Sequence, residues 1–186
     1  MQSSKQIGVL ALQGAVAEHL AALESVGVRG LAVKRTEELE GLDGLILPGG
    51  ESTAIGKLME RYGFVPALRA FAAEKPIFGT CAGMVLLAQN GLLGLMDIQV
   101  RRNAFGRQRE SFEADLQMEG WDQPYPAVFI RAPYIEYAGP AVKILAEVDG
   151  HPVLARQGKL LVSSFHPELT DDTRLMEYFA GQCAAI

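Results

Sequence analysis

The sequence predicts an α/β fold in which a mixed, mostly parallel central sheet has helices on both faces. Short apolar runs alternate with helix-like segments through the first half of the chain, as expected of a parallel sheet. The second half changes to closely spaced strand-like runs, which indicates a partly antiparallel part. With 186 residues, 49% of them hydrophobic, the chain fits a single domain over residues 1–186.

The first half begins with an apolar run at residues 7–12, typical of a strand that is buried on both faces. A helix is expected over residues 15–26, where Val16, Leu20 and Leu23 recur at helical spacing. Further strands are predicted at residues 31–34, Gly44–Leu47 and residues 76–78, and further helices at residues 53–61, 68–73 and 84–89.

The second half contains strand-like runs that are separated by turn residues. These runs lie at residues 112–116, 128–131, 142–148, 153–156 and 160–165. A final helix is predicted over residues 173–183.

Composition and charge exclude several classes of function. The net charge is −5 at pH 7 and the charged residues are mixed along the chain, so no nucleic-acid partner is expected. No apolar run reaches the roughly 18 residues that span a bilayer, and the N-terminus lacks the regions of a signal peptide. We therefore expect a cytoplasmic protein with no membrane partner and with Cys81 and Cys183 as free thiols.

A candidate nucleophile lies in residues 79–83, Gly-Thr-Cys-Ala-Gly, at a predicted junction of strand and helix. Small neighbours permit the strained turn that raises one side chain above the edge of a sheet. The thiol of Cys81 would also lie at a helix N-terminus, whose partial positive charge favours a thiolate. Taken alone, the motif fits a small cysteine packed in the core equally well.

A candidate base follows the last strand-like run, in the sequence His166, Pro167 and Glu168. Proline disfavours a helical conformation for the preceding residue, so the segment is predicted to stay extended with His166 and Glu168 on the same side. The imidazole would accept the thiol proton and the carboxylate would fix its tautomer. By itself this motif fits a turn, but together with Cys81 it indicates a catalytic triad.

A third motif, Pro-Gly-Gly-Glu-Ser-Thr at residues 48–53, is predicted at the same edge of the sheet. Adjacent glycines let backbone N–H groups turn toward a ligand, so the N–H groups of Gly50 and Ala82 are expected to form an oxyanion hole. A phosphate-binding loop is the weaker alternative, because the Lys-Ser ending is absent and Glu51 would face the anion. Three scattered histidines and two distant cysteines predict no metal site, and no cofactor is expected.

Several segments together resemble the glutaminase subunit of pyridoxal 5′-phosphate synthase, within the class I glutamine amidotransferases. They cover nearly the whole chain and comprise residues 12–15 with Glu18 and His19, and residues 47–53, 102–108, 112–115, 129–133 and 164–170. Segments 102–108 and 129–133 are not general features of amidotransferases, so the resemblance is more specific than a triad.

The resemblance implies a three-layer, flavodoxin-like fold and hydrolysis of L-glutamine to glutamate and ammonia through a thioester. It implies a triad of Cys81, His166 and Glu168. The implied glutamine site consists of Gly49, Gly50, Glu51, Arg102, Ile130 and Arg131. The implied partner is a ring-shaped synthase core, which uses the ammonia to make pyridoxal 5′-phosphate from a pentose phosphate and a triose phosphate.

Some interpretations stay open at the level of sequence. Arg102 or Arg131 fits the α-carboxylate of glutamine, and a solvated surface charge is the alternative for either. His19 is expected at the synthase interface or as a partly exposed helical residue without a role. Segment 89–95 is shorter than expected for the family, which leaves its part in docking open. A glutaminase of histidine or nucleotide synthesis and a regulatory subunit with an inactive triad are the competing functions.

Overall fold

The computed structural model describes residues 4–103, 105 and 110–183. The strands of the first half are β1 (Gln6–Leu10), β2 (Arg29–Val33), β3 (Gly44–Leu47) and β4 (Ile77–Thr80). The helices that follow these strands are α1 (Val16–Ser25), α2 (Ser52–Arg61), α3 (Phe64–Ala72) and α4 (Ala82–Leu87). A short 3-10 helix, Thr36–Leu39, connects β2 to β3.

The second half consists mostly of strands. They are β5 (Ile98–Arg101), β6 (Ser111–Leu116), β7 (Tyr125–Ile130), β8 (Tyr134–Ala138), β9 (Lys143–Val148), β10 (His151–Gln157) and β11 (Leu160–Ser163). A second 3-10 helix, Pro167–Leu169, and the helix α5 (Arg174–Gln182) follow them.

Seven strands form the central sheet, in the order β2-β1-β3-β4-β11-β10-β9. The five strands from β2 to β11 are parallel, whereas β10 runs antiparallel to both of its neighbours. Two antiparallel pairs, β5 with β8 and β6 with β7, lie outside this sheet. The prediction of a mostly parallel sheet with an antiparallel part in the second half is therefore confirmed.

Helices cover both faces of the sheet, as predicted. One face packs against α2, α3 and α4, through buried residues such as Met59, Leu68 and Leu87. The other packs against α1 and α5, through Leu23 and Phe179, and also against the β6–β7 pair. Because β3, β4 and β11 are covered on both sides, all their residues are buried, which explains their continuous apolar sequences.

The register of the three central strands brings their carboxyl ends to one edge of the sheet. Leu47 of β3 pairs with Gly79 of β4, and Thr80 pairs with Ser163 of β11. The loops that follow these strands therefore begin beside one another. In open α/β sheets this edge is the usual place for a binding site.

Several elements differ from the prediction. The strands β5 and β8 were not predicted, and α3 begins at Phe64 rather than at residue 68, because Pro66 lies in its first turn, where proline is tolerated. The predicted strand over residues 160–165 ends at Ser163. The His-Pro-Glu segment was predicted to stay extended, and this was wrong beyond His166, since Pro167–Leu169 form a 3-10 turn.

The structure describes the family-like segment 102–108 only in part. In the family-like segment 102–108, residues 104 and 106–108 lie outside the described residues. Among the helices of the described ranges, none is both long enough and apolar enough to cross a membrane.

The packing of α4 on β3 predicts a stability effect at Gly83. A Cβ at this position would overlap the backbone oxygen of Leu47. We expect Gly83→Ala to lower the free energy of unfolding by about 1–3 kcal/mol, because backbone atoms must shift to relieve the overlap. Urea denaturation followed by circular dichroism measures this change.

The matched control is Gly181→Ala in α5. A Cβ there meets open space, and helical alanine is favoured over glycine, so the free energy of unfolding should stay the same or rise by up to about 1 kcal/mol. Equal stability of the two variants would contradict the close packing inferred at Gly83.

Candidate active site

Cys81 connects β4 to α4 in a strained backbone conformation. Its φ of 52° and ψ of −103° are unusual for a residue with a side chain, and it forms the N-cap of the helix. The backbone N–H of Cys81 donates to the carbonyl of Ser163 (2.8 Å), which extends the pairing of β4 with β11. The structure thus gives Cys81 the partly exposed position of a nucleophile elbow.

His166 and Glu168 follow β11 and lie beside Cys81. The Nδ1 of His166 is 2.6 Å from Oε1 of Glu168, whose side chain is 1% exposed. The Cys81 thiol lies near the imidazole, close enough to raise the pKa of His166. The backbone N–H of His166 donates to the carbonyl of Val128 in β7 (2.8 Å), which keeps this residue extended before the turn. The candidate nucleophile, base and orienting carboxylate therefore lie side by side, in the order that a triad requires.

The electrostatics of this arrangement favour a protonated imidazole. Burial lowers the pKa of His166, but the hydrogen bonds with Cys81 and Glu168 outweigh burial and raise this pKa to about 10. Burial raises the pKa of Glu168, but the hydrogen bond from His166 and the electrostatic effects of the His19 and His166 imidazoles hold it below its usual value. Glu168 is therefore an anion that stabilises positive charge on His166.

The Gly-Gly loop after β3 approaches the same residues. A Cβ on Gly49 would lie 2.8 Å from Cε1 of His166 and 3.6 Å from Cβ of Cys81, so only glycine fits without displacing the imidazole. The carbonyl of Gly49 accepts from the backbone N–H of Ala15 (3.0 Å), which ties the loop to the start of α1. Gly50 is exposed beyond it, and Ala82 is the first residue of α4.

Glu51 and Arg102 form a second pair of candidate residues. The carboxylate of Glu51 caps α2 by accepting from the backbone N–H groups of Thr53 (3.1 Å) and Ala54 (2.7 Å), which lowers its pKa. Nη2 of Arg102 is 3.5 Å from Oε1 of Glu51. Both side chains are 56% exposed, so they stay accessible to a ligand.

An open cavity of about 310 Å³ adjoins this pair. Ser52, Thr53 and Arg102 line one part of it, and Asn90 and Gly91 line another. Cys81 is not among its lining residues. The cavity therefore lies on the Arg102 side of the sheet edge.

Ile130 is the last residue of β7, and Arg131 follows it. Ile130 is 39% exposed, and Arg131 adopts a φ of 45° with its N–H donating to the carbonyl of Glu110 (2.6 Å). Ile130 is two residues from Val128, which binds the backbone of His166. Across the described ranges, no ion pair or side-chain hydrogen bond joins Ile130 or Arg131 to the other candidate residues.

Sequence reasoning missed how two residues, Gln13 and His19, hold the site together. The side-chain oxygen of Gln13 accepts from the backbone N–H of Glu51 (2.9 Å). His19, expected at an interface or partly exposed, is instead completely buried, with Nε2 at 3.2 Å from Thr80 Oγ1 and 3.5 Å from Glu168 Oε2. The sequence contained a signal that His19 is buried, because His19 lies three residues after Val16 and four before Leu23, on the buried stripe of α1.

The two cysteines differ in environment. Both are free thiols, and Cys183 is buried beside α5, where burial raises its pKa to about 12. Such a thiol is unreactive at neutral pH. Within residues 4–103, 105 and 110–183, no group of three or more histidine, cysteine or acidic side chains is placed to hold a metal ion.

Comparison with known proteins identifies close relatives. Residues 9–185 match the SNO glutamine amidotransferase family. The chain is 59% identical to the pyridoxal 5′-phosphate synthase subunit PdxT of Niallia circulans, over 94% of this chain and 95% of that protein. It is 58% identical to the PdxT of Brevibacillus brevis, again over 94% and 95% of the two chains.

Solved structures agree with the fold. A crystal structure of a glutamine amidotransferase matches with a TM-score of 0.90 and 48% identity, over 96% of this chain and 99% of that one. A putative GMP synthase subunit from Thermoplasma acidophilum matches with a TM-score of 0.74 at 18% identity, over 99% and 96% of the two chains, and this supports the fold alone.

The raised pKa of His166 predicts how stability depends on pH. Because this pKa is about 10 in the folded chain and near 6.5 in an ordinary histidine, the stabilisation is fully present below about pH 6.5 and is lost as the pH rises through 10. We expect the stability advantage of the wild type over His166→Asn to fall by about 2 kcal/mol or more from pH 6 to pH 10.

Urea denaturation of both proteins across this pH range measures the advantage. The variant serves as the control, since groups that do not interact with His166 titrate alike in both chains. A difference in free energy of unfolding that is constant or grows with pH would contradict the electrostatics inferred for His166.

Proposed function

The chain belongs to the SNO glutamine amidotransferase family, and we propose that it uses Cys81, His166 and Glu168 to hydrolyse glutamine. It is the glutaminase subunit of a pyridoxal 5′-phosphate synthase and supplies ammonia to a synthase subunit; its relatives are named pyridoxal 5′-phosphate synthase subunit PdxT. The observation that carries the proposal is the position of His166, which lies near Cys81 at the Gly-Gly loop and binds the buried carboxylate of Glu168.

Acylation begins when the sulfur of Cys81 attacks the side-chain amide carbon of L-glutamine. The C–S bond forms as the carbonyl becomes an oxyanion, and collapse of this intermediate breaks the C–N bond. His166 carries the proton from the thiol to the leaving nitrogen, which departs as ammonia. Glu168 keeps Nδ1–H of His166 in place, so that Nε2 serves the reacting atoms.

The oxyanion is stabilised by backbone N–H groups at the ends of β3 and β4. Ala82 offers its N–H at the start of α4, and Gly50 offers the second from the Gly-Gly loop. The close approach of Gly49 to His166 supports this assignment, because it places the loop against the base. A thioester at Cys81 remains, and a water molecule activated by His166 hydrolyses it to glutamate.

The zwitterionic end of glutamine requires an acceptor for its ammonium group and a donor for its carboxylate. Glu51 and Arg102 supply both charges, and they are already paired beside the open cavity. An arginine fork binds a carboxylate at two points, which fixes the orientation of the substrate. Ile130 and Arg131 complete the glutamine site from the end of β7.

The synthase partner consumes the ammonia that the glutaminase releases. Free ammonia is protonated in water at neutral pH and is then no nucleophile, so internal delivery to the partner preserves its reactivity. A ring-shaped synthase core and a cytoplasmic location are part of this proposal. The high identity to PdxT proteins favours this partner over the synthases of histidine or nucleotide pathways.

Replacement of the proposed nucleophile tests the function. We expect Cys81→Ala to lower glutamine hydrolysis by the reconstituted complex at least about 1,000-fold, because no thioester can form. Glutamate release in a coupled dehydrogenase assay measures the rate.

Cys183→Ala is the matched control. It removes the other thiol, which is buried and lies outside the site, and should leave activity within about twofold of the wild type. Activity that survives in Cys81→Ala would overturn the triad and would favour a regulatory role.

A second test addresses substrate binding. Arg102→Ala should raise the KM for glutamine about tenfold and change kcat less than threefold, because the carboxylate contact is made equally before and during the reaction. Arg101→Ala removes the neighbouring exposed arginine, which is the last residue of β5, and should leave KM unchanged. Equal effects of both variants would indicate general electrostatics rather than a contact with substrate.

A further inference from the structure

His19 is a buried titratable residue that the proposed mechanism does not use. It lies in the second turn of α1 and is 0% exposed. Its Nε2 faces two groups that belong to the site, Thr80 Oγ1 at 3.2 Å and Glu168 Oε2 at 3.5 Å. The imidazole therefore lies behind the carboxylate, on the side away from His166.

The two oxygens of the Glu168 carboxylate differ in their hydrogen bonds. Oε1 accepts from His166 at 2.6 Å, whereas Oε2 has no hydrogen-bond partner within 3.5 Å that meets geometric criteria, considering the residues that the structure describes. A buried carboxylate oxygen without a donor costs free energy, since water cannot reach it. The Nε2 of His19 is the imidazole nitrogen that faces this oxygen.

The charge state of His19 follows from its surroundings. Burial lowers the pKa of His19, the Glu168 carboxylate and Glu18 raise it, His166 lowers it, and the balance is a lowered pKa. The imidazole is therefore neutral at neutral pH and carries one proton. A neutral ring removes no charge from Glu168 and offers it a single N–H.

The position of that proton is decided by the neighbours. Nδ1 has no hydrogen-bond partner in the described part of the chain, so a proton there would be a buried N–H without an acceptor. The lone pair of Nε2 would then face the negative carboxylate of Glu168. A proton on Nε2 avoids both costs and points at Thr80 Oγ1 and Glu168 Oε2.

We propose that His19 is a positioning residue whose Nε2–H, directed at Thr80 Oγ1 and at the outer oxygen of Glu168, holds the carboxylate in line with His166. The contact is electrostatic at 3.5 Å, and Thr80 Oγ1 shares the donor. Without it, the buried Oε2 of Glu168 would face no N–H group, and the carboxylate would turn away or take up a proton. Either change removes the anion that keeps His166 protonated beside Cys81.

This inference rests on the proposed triad and extends it by one residue. It also means that α1 contacts the site at two places. The N-terminal end of the helix holds the Gly-Gly loop through Ala15, and its second turn holds Glu168 through His19. The Gly-Gly loop and the carboxylate of Glu168 are then both held by the helix α1.

The test compares two substitutions in the complex with the synthase subunit, both in a Cys183→Ala background so that Cys81 is the only thiol of this chain. His19→Leu removes the N–H and keeps an apolar side chain of similar size. His19→Gln keeps an N–H donor at about the reach of Nε2. Leu23→Ala, one turn further along the buried stripe of α1, is the control for lost packing.

We expect His19→Leu to lower kcat for glutamine hydrolysis about tenfold with KM within about twofold, the size of effect that supporting hydrogen bonds to an active-site imidazole have. His19→Gln should recover at least about half of the wild-type kcat. Leu23→Ala should lower the melting temperature at least as much as His19→Leu, with kcat close to that of the wild type.

A second readout follows the pH dependence of iodoacetamide alkylation at Cys81, which does not require glutaminase activity. The midpoint should move up by about one pH unit in His19→Leu, because His166 no longer stays protonated beside the sulfur. It should stay in place in His19→Gln and in Leu23→Ala.

An unchanged kcat and midpoint in His19→Leu would overturn the inference, and so would equal losses in the leucine and glutamine variants at equal melting temperatures. A loss in Leu23→Ala as large as that in His19→Leu would show that packing, and not the N–H, is responsible. Failure of the proposed function looks different, since the wild-type complex would then release no glutamate or Cys81→Ala would remain active.

Discussion

The site depends on the in-register parallel pairing of β3, β4 and β11. This pairing places the ends of three strands, which are far apart in sequence, within reach of one another. The Gly-Gly loop follows β3, Cys81 follows β4, and His166 follows β11. The strained backbone of Cys81 is tolerated because its N–H continues the ladder to Ser163 and its carbonyl starts α4. A shift of one strand by a single residue would separate the thiol from the imidazole.

A second constraint is the burial of Glu168. A carboxylate that is 1% exposed stays ionised only when donors compensate for the lost water, and His166 supplies the short contact. The same burial makes the carboxylate effective, because its charge is little screened where it acts on the imidazole. With His19 included, the carboxylate of Glu168 faces two imidazoles, His166 at Oε1 and His19 at Oε2. The pair of Glu51 and Arg102 differs, since both side chains are exposed.

Several features of the fold and the site could be predicted because they depend on local sequence. The bounds of β3 agree with the apolar run that ends at Pro48, and β11 and α5 agree to within two residues. The Pro167 turn was not anticipated, since the rule for residues before proline restricts His166 alone and the later residues close a 3-10 turn. The strands β5 and β8 were missed because each is half exposed and is stabilised by its partner rather than by its own pattern.

The sequence by itself determined the chemistry that the protein can perform. A cysteine between glycines, a histidine before Pro-Glu and a Gly-Gly-Glu loop require no knowledge of long-range contacts, since each is a property of a few adjacent residues. Only the tertiary structure decided which of these groups touch, and at what distance. It showed that His19, expected at an interface or partly exposed, is buried beside Glu168. The sequence reveals that a helix has a buried stripe of residues, but not which residues the stripe packs against.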